Sequence, residues 1–181
     1  MPEKLVIQYC APTLAGLKTG SLFILPYERE MIEKELEEWN KRFQSKGLRF
    51  ILLGVRVHKA LIYVYRPKKL MNDLLVHATK DILEERGYET IEETKCLETL
   101  KEHLQKDQTF PHEIGCFLGY PPEDVEGFIK KDKPCKLTGI WKVYGDEKKA
   151  EKLFETYKKC TNIYLQQYEK GIQLEQLTVA I

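Results

Sequence analysis

The chain has 181 residues, with 29 basic and 28 acidic side chains and a formal net charge of +1. This length suits one domain, and a hydrophobic fraction of 43% is sufficient for a folded core, which excludes global disorder. The balanced charge excludes strong electrostatic attraction to nucleic acid or to an anionic membrane as the main basis of function.

The sequence lacks the signals for secretion and for membrane insertion. The first residues have no basic stretch before a long apolar run, so no signal peptide is expected. The longest apolar runs fall far short of the roughly 20 residues that span a bilayer. Five widely spaced cysteines without a Cys-x-x-Cys pair are typical of the reducing cytoplasm. We therefore expect a cytoplasmic protein with no membrane partner.

The first half of the chain alternates between strand and helix patterns. A short apolar run over residues 21–25, ended by a proline, predicts a first strand. Residues 27–46 carry apolar side chains at helical spacing and predict a helix. Residues 48–57 and 60–65 are almost continuously apolar, which predicts two buried strands joined as a hairpin. Residues 67–86 begin with proline and keep a helical spacing, so they predict a second helix.

The second half is mainly helical. Short helices are predicted over residues 96–104, 111–118 and 122–130. Residues 136–144 alternate in the manner of a strand. Asp146 is placed to cap a long helix that ends at Lys170. A last apolar run over residues 174–179 predicts an edge strand.

The order of these elements indicates an α+β fold. Without the short helices it reads strand, helix, strand, strand, helix, strand, which is the order of the split βαβ, ferredoxin-like sandwich. We therefore predict a single domain over residues 1–181, with a four-stranded antiparallel sheet, a helical insert at about 90–133 and a long C-terminal helix.

Four segments of the sequence are distinctive. They read FPHEIGCFLGYPPEDVEGF (110–128), YCAPTLAGLKTGSLF (9–23), IYVYRP (62–67) and GIWKVYGD (139–146). Together they resemble an uncharacterised bacterial family, a domain of unknown function seen mostly in anaerobes. The resemblance covers nearly the whole chain and implies no activity, because the family has none assigned. It implies that a shared site draws on these four segments.

Cys10 is the candidate nucleophile of a cysteine-dependent enzyme. A cysteine beside a helix N-terminus and near a lysine has a lowered pKa, and Lys18 follows Cys10 closely. His112 would act as its base and Glu113 would orient that base. Two structural alternatives stay open: Cys10 is a buried thiol, and Glu113 caps a short helix that begins at Pro111.

His112 and Cys116 are also a candidate pair of metal ligands. They are four residues apart and share one face of a predicted helix, a spacing that lets an imidazole and a thiolate hold a soft metal. Two ligands do not complete a site, so a further cysteine would have to come close in space. The alternative is a lone histidine and a small buried cysteine on a packed helix.

A basic, aromatic-lined pocket for an anionic ligand, such as a phosphate-bearing cofactor, is the third candidate site. Its predicted residues are Lys18, Tyr65, Arg66, Tyr120, Lys142 and Tyr144. The sequence contains neither of the glycine-rich phosphate-binding motifs, so a nucleotide or flavin would need an unconventional site. The alternative is an ordinary solvated sheet edge.

The preferred interpretation is a binding or accessory protein for a small anionic ligand, a redox cofactor or a protein partner. The cysteine-dependent enzyme is the alternative. A helix-turn-helix DNA-binding regulator is a minor alternative, because the would-be recognition helix begins with Glu123, Asp124 and Glu126, which repel phosphate. The sequence predicts neither a particular cofactor nor an oligomeric state.

Overall fold

The computed structural model describes residues 1–26, 29–90, 92–106 and 110–181. These residues form two compact units. The first unit comprises Met1–Lys69 and Lys159–Ile181, and the second comprises Leu70–Lys158. The helical insert predicted at about 90–133 belongs to the second unit. The prediction that the whole chain is a single domain stays a prediction.

The first unit contains a mixed set of helices and strands in chain order. They are α1 (Glu3–Leu14), β1 (Gly20–Pro26), α2 (Arg29–Phe43), β2 (Arg49–Arg56) and β3 (Lys59–Tyr65). The strands and α2 lie where the apolar patterns predict them, although the predicted helix start at residue 27 lies outside the described residues. Helix α1 is absent from our sequence prediction.

Antiparallel pairing joins the three strands into a sheet of order β1-β3-β2. The hairpin between β2 and β3 turns at Val57 and His58, whose φ angles of 47° and 57° are those of a two-residue primed turn. Helix α1 packs against β1, and α2 packs against β2. Their shared core includes Val6, Ile7, Phe23, Ile32, Trp39, Phe43, Phe50 and Ile62.

The C-terminal residues belong to this first unit and are helical rather than extended. Residues 174–179 were predicted as an edge strand, but the structure contains a short helix, α9 (Leu174–Leu177), so that prediction is wrong. The side chains of Gln173 and Gln176 bond reciprocally to backbone N–H groups and cap this turn. The chain then returns to α1, where the N–H of Val179 donates to the Leu14 carbonyl.

The second unit begins within α3 (Pro67–Leu74) and continues through α4 (His77–Glu84), where a single helix over 67–86 was predicted. The break occurs because Val76 is extended, with ψ at 127°. The helical phase changes after this residue, so that Thr79 is buried and Ala78 is exposed.

The remaining elements of the second unit are helices and a small hairpin. In chain order they are α5 (Glu93–Lys106), α6 (Ile114–Phe117), α7 (Pro122–Lys130), β4 (Leu137–Thr138), β5 (Lys142–Val143) and α8 (Glu147–Glu169). Helix α8 is capped as predicted, because Asp146 accepts a hydrogen bond from the Lys149 N–H at 3.0 Å. It ends in the first unit, where Cys160 and Tyr164 join the core.

The predicted strand over residues 136–144 is instead this hairpin, in which β4 pairs with β5. The chain bends at Gly139, which lies so close to the Phe154 ring that a Cβ atom there would overlap it. The α+β class is therefore confirmed. The four-stranded ferredoxin-like sheet is not, because β4 and β5 pair only with each other among the described residues.

Candidate functional site

A cleft of about 350 Å³ lies within the second unit. Two parts of the chain line it: residues 110–128, which include α6, the turn after it and most of α7, and the β4–β5 hairpin. The described lining residues are Phe110, His112, Ile114, Gly115, Tyr120, Asp124, Val125, Phe128, Thr138, Gly139, Ile140, Trp141 and Lys142. Its walls are mainly apolar and aromatic, which is the usual character of a small-molecule site. We refer to it as the aromatic cleft.

Asp124 fixes the hairpin against α7. This buried carboxylate accepts three hydrogen bonds of 2.7 Å, from the indole Nε1–H of Trp141 and from the backbone N–H groups of Tyr144 and Gly145. Bonds to an ionised acceptor are stronger than neutral ones. The position of Trp141 in the cleft therefore depends on a residue of a different element, 17 positions away.

Trp141 and Tyr120 form the inner wall of the cleft. Their rings stack at 4.6 Å between centroids, and Phe154 meets Trp141 edge to face at 4.5 Å. Burial, reinforced by the neighbouring Tyr157, raises the pKa of the Tyr120 hydroxyl to about 12. Tyr120 therefore stays neutral at physiological pH and contributes an aromatic surface with a polar tip.

The ring of Phe128 is contacted by a histidine and two lysines. The ring of His112 packs edge to face on it, with 4.7 Å between centroids. The ammonium groups of Lys142 and Lys131 lie 5.6 Å and 5.9 Å from the centre of the same ring. Both distances lie within the range of a cation–π contact. Lys142 lines the aromatic cleft and Lys131 lies beside it, so positive charge borders the cleft.

Two glycines permit the close packing that shapes this site. A Cβ atom on Gly115 would lie 2.8 Å from a methyl carbon of Val125, so α6 and α7 could not approach as they do. A Cβ atom on Gly127 would lie 2.5 Å from Tyr144, where the hairpin meets α7. These glycines serve packing between elements, which a single sequence does not reveal.

Glu113 faces away from the helix end that it was expected to cap. The structure gives no capping bond from its side chain to α6. Its buried carboxylate instead accepts a hydrogen bond from the Tyr88 hydroxyl at 3.0 Å and lies 2.9 Å from Nδ1 of His103. Burial and the Glu113 charge raise the pKa of Tyr88. Neither Tyr88 nor His103 was singled out in the sequence, because no local pattern relates them to Glu113.

The His112–Cys116 pair has the environment of a packed helix. Cys116 is buried, and burial, followed by the charge of Glu113, raises the pKa of its thiol to about 12. Over the described ranges, no group of three or more His, Cys, Asp or Glu side chains could hold a metal ion. A metal site at His112 and Cys116 stays a prediction that the described residues do not complete.

Cys10 lies inside α1, not at a helix N-terminus. Its side chain is fully buried, and this burial raises the pKa of the thiol, which outweighs the nearby charge of Lys18. The predicted lowering of the Cys10 pKa is therefore wrong, because desolvation opposes formation of the thiolate. Cys10 belongs to the first unit, and His112 and Glu113 belong to the second.

The six residues predicted to bind an anion are divided between the units. Lys18, Tyr65 and Arg66 belong to the first unit, whereas Tyr120, Lys142 and Tyr144 belong to the second. Of the second group, Tyr120 and Lys142 line the aromatic cleft. Tyr144 packs beside it on Gly127. Of the six predicted residues, Tyr120 and Lys142 are thus brought together in one cleft.

The guanidinium of Arg66 bonds to the backbone of the protein, although it was predicted to contact an anionic ligand. This buried group donates hydrogen bonds of 2.7–2.9 Å to four backbone carbonyls. The four acceptors belong to Thr13, Leu14, Lys46 and Val179. These bonds tie α1, the turn that follows α2 and the C-terminal residues together, whereas the sequence predicted a contact with a ligand.

Lys18 and Tyr65 are also held by the first unit. The ammonium group of Lys18 donates to the Gly20 carbonyl at 2.6 Å, and burial lowers the pKa of Lys18 to about 8. Tyr65 is buried and stacks on Tyr63, with 4.7 Å between ring centroids. Both side chains therefore contribute to the packing around β1 and β3.

Comparison with known proteins agrees with the resemblance described above. Neither the curated proteins nor the solved structures include a match to this chain. No helix of the described residues is both long and apolar enough to cross a membrane. One family matches residues 6–178, and its description is "Protein of unknown function (DUF3793)". Because the match covers nearly the whole chain, the protein belongs to this family.

Proposed function

We propose that the protein is a binding module whose ligand site is the aromatic cleft, and that the ligand is a small anionic molecule. The observation that carries this proposal is the position of the lining residues in the sequence. Every described lining residue except Thr138 lies in residues 110–128 or 139–146. These are two of the four segments on which the family resemblance depends.

The size and charge of the cleft support a small ligand. A volume of about 350 Å³ lies near the lower end of the range for small-molecule sites. This favours a small anion over a large redox cofactor or a protein partner. The two lysines around Phe128, of which Lys142 lines the cleft, favour a negative charge on that ligand.

Other features favour a binding role in the cytoplasm over the two alternatives. All five cysteines are free, as expected in a reducing compartment. The raised pKa of Cys10 disfavours thiolate chemistry. Glu123 and Glu126 remain exposed on α7, so this helix still disfavours contact with phosphate in DNA.

Trp141 supplies a direct assay for ligand binding. The protein has two tryptophans, so Trp39→Phe leaves Trp141, in the wall of the cleft, as the sole indole fluorophore. We expect some members of a library of small organic anions to change its fluorescence and to raise the melting temperature. A library that leaves both signals unchanged would contradict the proposal.

A matched pair of substitutions locates the binding site. Ile140 lines the cleft and is 47% exposed, so Ile140→Asp introduces a negative charge with little cost in burial. Ile163 is 44% exposed and lies outside the lining of the cleft, so Ile163→Asp is the control. We expect Ile140→Asp to weaken binding at least tenfold and Ile163→Asp to leave it unchanged. Equal effects of the two substitutions would place the ligand elsewhere.

A further inference from the structure

The charges around the aromatic cleft select the sign of the ligand. Two ammonium groups, of Lys142 and Lys131, already lie near the ring of Phe128. A cationic ligand entering the same aromatic surroundings would meet both of them. A ligand with a negative group would instead be attracted to the ammonium groups while its apolar part rests on the ring.

Asp124 does not reverse this preference, although it lines the cleft. Its carboxylate oxygens already accept from the Trp141 indole and from the N–H groups of Tyr144 and Gly145. These donors offset much of its negative charge. In a site that binds a cation, a carboxylate would contact the ligand. Here the carboxylate of Asp124 instead bonds to the hairpin.

The balance of charge also limits the ligand to a single negative charge. Among the described residues that line the cleft, Lys142 is the one ammonium group, and the charge of the one carboxylate, Asp124, is already offset by its three donors. Lys131 follows the C-terminal end of α7, where the backbone carbonyls present a partial negative charge. A phosphate dianion would bring a second negative charge near this helix end and near Asp124 without a second lysine in the lining, whereas a carboxylate matches the single charge of Lys142.

The residues at the mouth of the cleft favour a particular shape for the apolar part of the ligand. Phe110 and Ile140 line it while remaining 44% and 47% exposed. With Phe128 they offer apolar surface to a flat group, whereas Trp141, at 8% exposure, is already covered. Flat aromatic groups gain most from such surroundings, because ring-to-ring contact adds to simple burial.

We infer that the aromatic cleft takes a small aromatic monocarboxylate, with its ring against Phe128 and its carboxylate directed to Lys142. This inference rests on the proposed function and names the ligand class of the same site. It involves recognition only, and no bond is made or broken.

Four probes that share one ring system test the inference. They are 2-naphthoate, its neutral amide, 2-naphthyl phosphate and a naphthylmethyl trimethylammonium cation. Binding of each to the full chain is measured by calorimetry, and the NMR signal of the Trp141 indole N–H reports contact with the cleft. We expect 2-naphthoate to bind at least about tenfold more tightly than the amide and the cation, and more tightly than the phosphate.

A matched pair of lysine variants isolates the role of Lys142. Lys142→Gln removes the charge at the cleft, and Lys148→Gln removes a charge from an exposed lysine of α8 that does not line it. We expect Lys142→Gln to weaken 2-naphthoate binding about five- to tenfold and to leave amide binding unchanged. Lys148→Gln should alter neither.

The outcomes separate this inference from the proposed function. If the amide, the cation or the phosphate binds at the Trp141 signal as tightly as the carboxylate, the ligand class is wrong and the binding module is retained. The same holds if library anions bind the cleft while none of the four probes does. If neither the library nor the probes bind, both proposals fail.

Discussion

Replacement of Asp124 provides the strongest test of how the aromatic cleft is built. In Asp124→Ala, the buried indole N–H of Trp141 and the half-buried amides of Tyr144 and Gly145 lose their acceptor. An unsatisfied buried donor costs about 1–3 kcal/mol, and water can replace the acceptor at the half-buried amides. We therefore expect a loss of about 3 kcal/mol in the free energy of unfolding, most of it from the indole.

Urea denaturation of the Trp39→Phe background measures this loss in the second unit, because Trp141 is then the sole tryptophan. Asp124→Asn provides an intermediate step. Its amide oxygen can still accept from the backbone, but its NH₂ group would face the indole N–H. We expect about half the loss, and faster hydrogen exchange at the amides of Tyr144 and Gly145 in both variants.

Glu126→Ala is the matched control, because it removes a carboxylate from an exposed position of the same helix, where it pairs with Lys130. It should cost only about 0.3–0.5 kcal/mol, through loss of this exposed ion pair. If Asp124→Ala costs no more than this control, or leaves the exchange of the hairpin amides unchanged, Asp124 does not hold the hairpin and the reasoning is refuted.

Three further predictions concern the first unit and the cysteines. In Arg66→Lys, the ammonium group cannot donate to all four carbonyls that the guanidinium reaches, so we expect the free energy of unfolding to fall by about 2–4 kcal/mol. The exposed Arg49→Lys is the control and should change it very little. Equal stability of the two variants in denaturant unfolding would contradict the role assigned to Arg66. Iodoacetamide at pH 8 should label the half-buried Cys135 first, as read by mass spectrometry, and rapid labelling of Cys10 in the native protein would refute its burial. Lys18 has a folded pKa of about 8 against an ordinary value of 10.5, so between these pH values the unfolded state binds more protons and the stability contributed by Lys18 rises with pH. Relative to Lys18→Met, the wild type should therefore gain up to about 3 kcal/mol across that window, and a constant or falling difference would show that the lysine is not desolvated.

Several expectations from the sequence depended only on neighbouring residues, and most of these are confirmed. The apolar runs predicted β1, β2 and β3, and the helical spacing predicted α2 and the long α8. The unpredicted helix α1 also has a local signal. Its buried residues Val6, Ile7, Cys10, Ala11 and Leu14 recur at helical spacing, although Pro12 interrupts the pattern.

The errors lie where tertiary packing overrides a local pattern. The alternation over residues 136–144 is that of a strand, but a bend at Gly139 against Phe154 makes it a hairpin. The single helix over residues 67–86 breaks at Val76. The lowered pKa expected for Cys10 assumed a helix end, whereas the residue is in the interior of α1, where desolvation dominates.

The sequence alone determined the α+β class, the family and the two segments that supply nearly all of the cleft lining. Only the tertiary structure decided what each polar side chain does. Asp124 bonds to Trp141 across 17 positions, and Arg66 bonds to the Val179 carbonyl across 113. Periodicity arises from the geometry of adjacent residues, but a buried charge takes whichever partner the fold brings near, and separation along the chain does not constrain that choice.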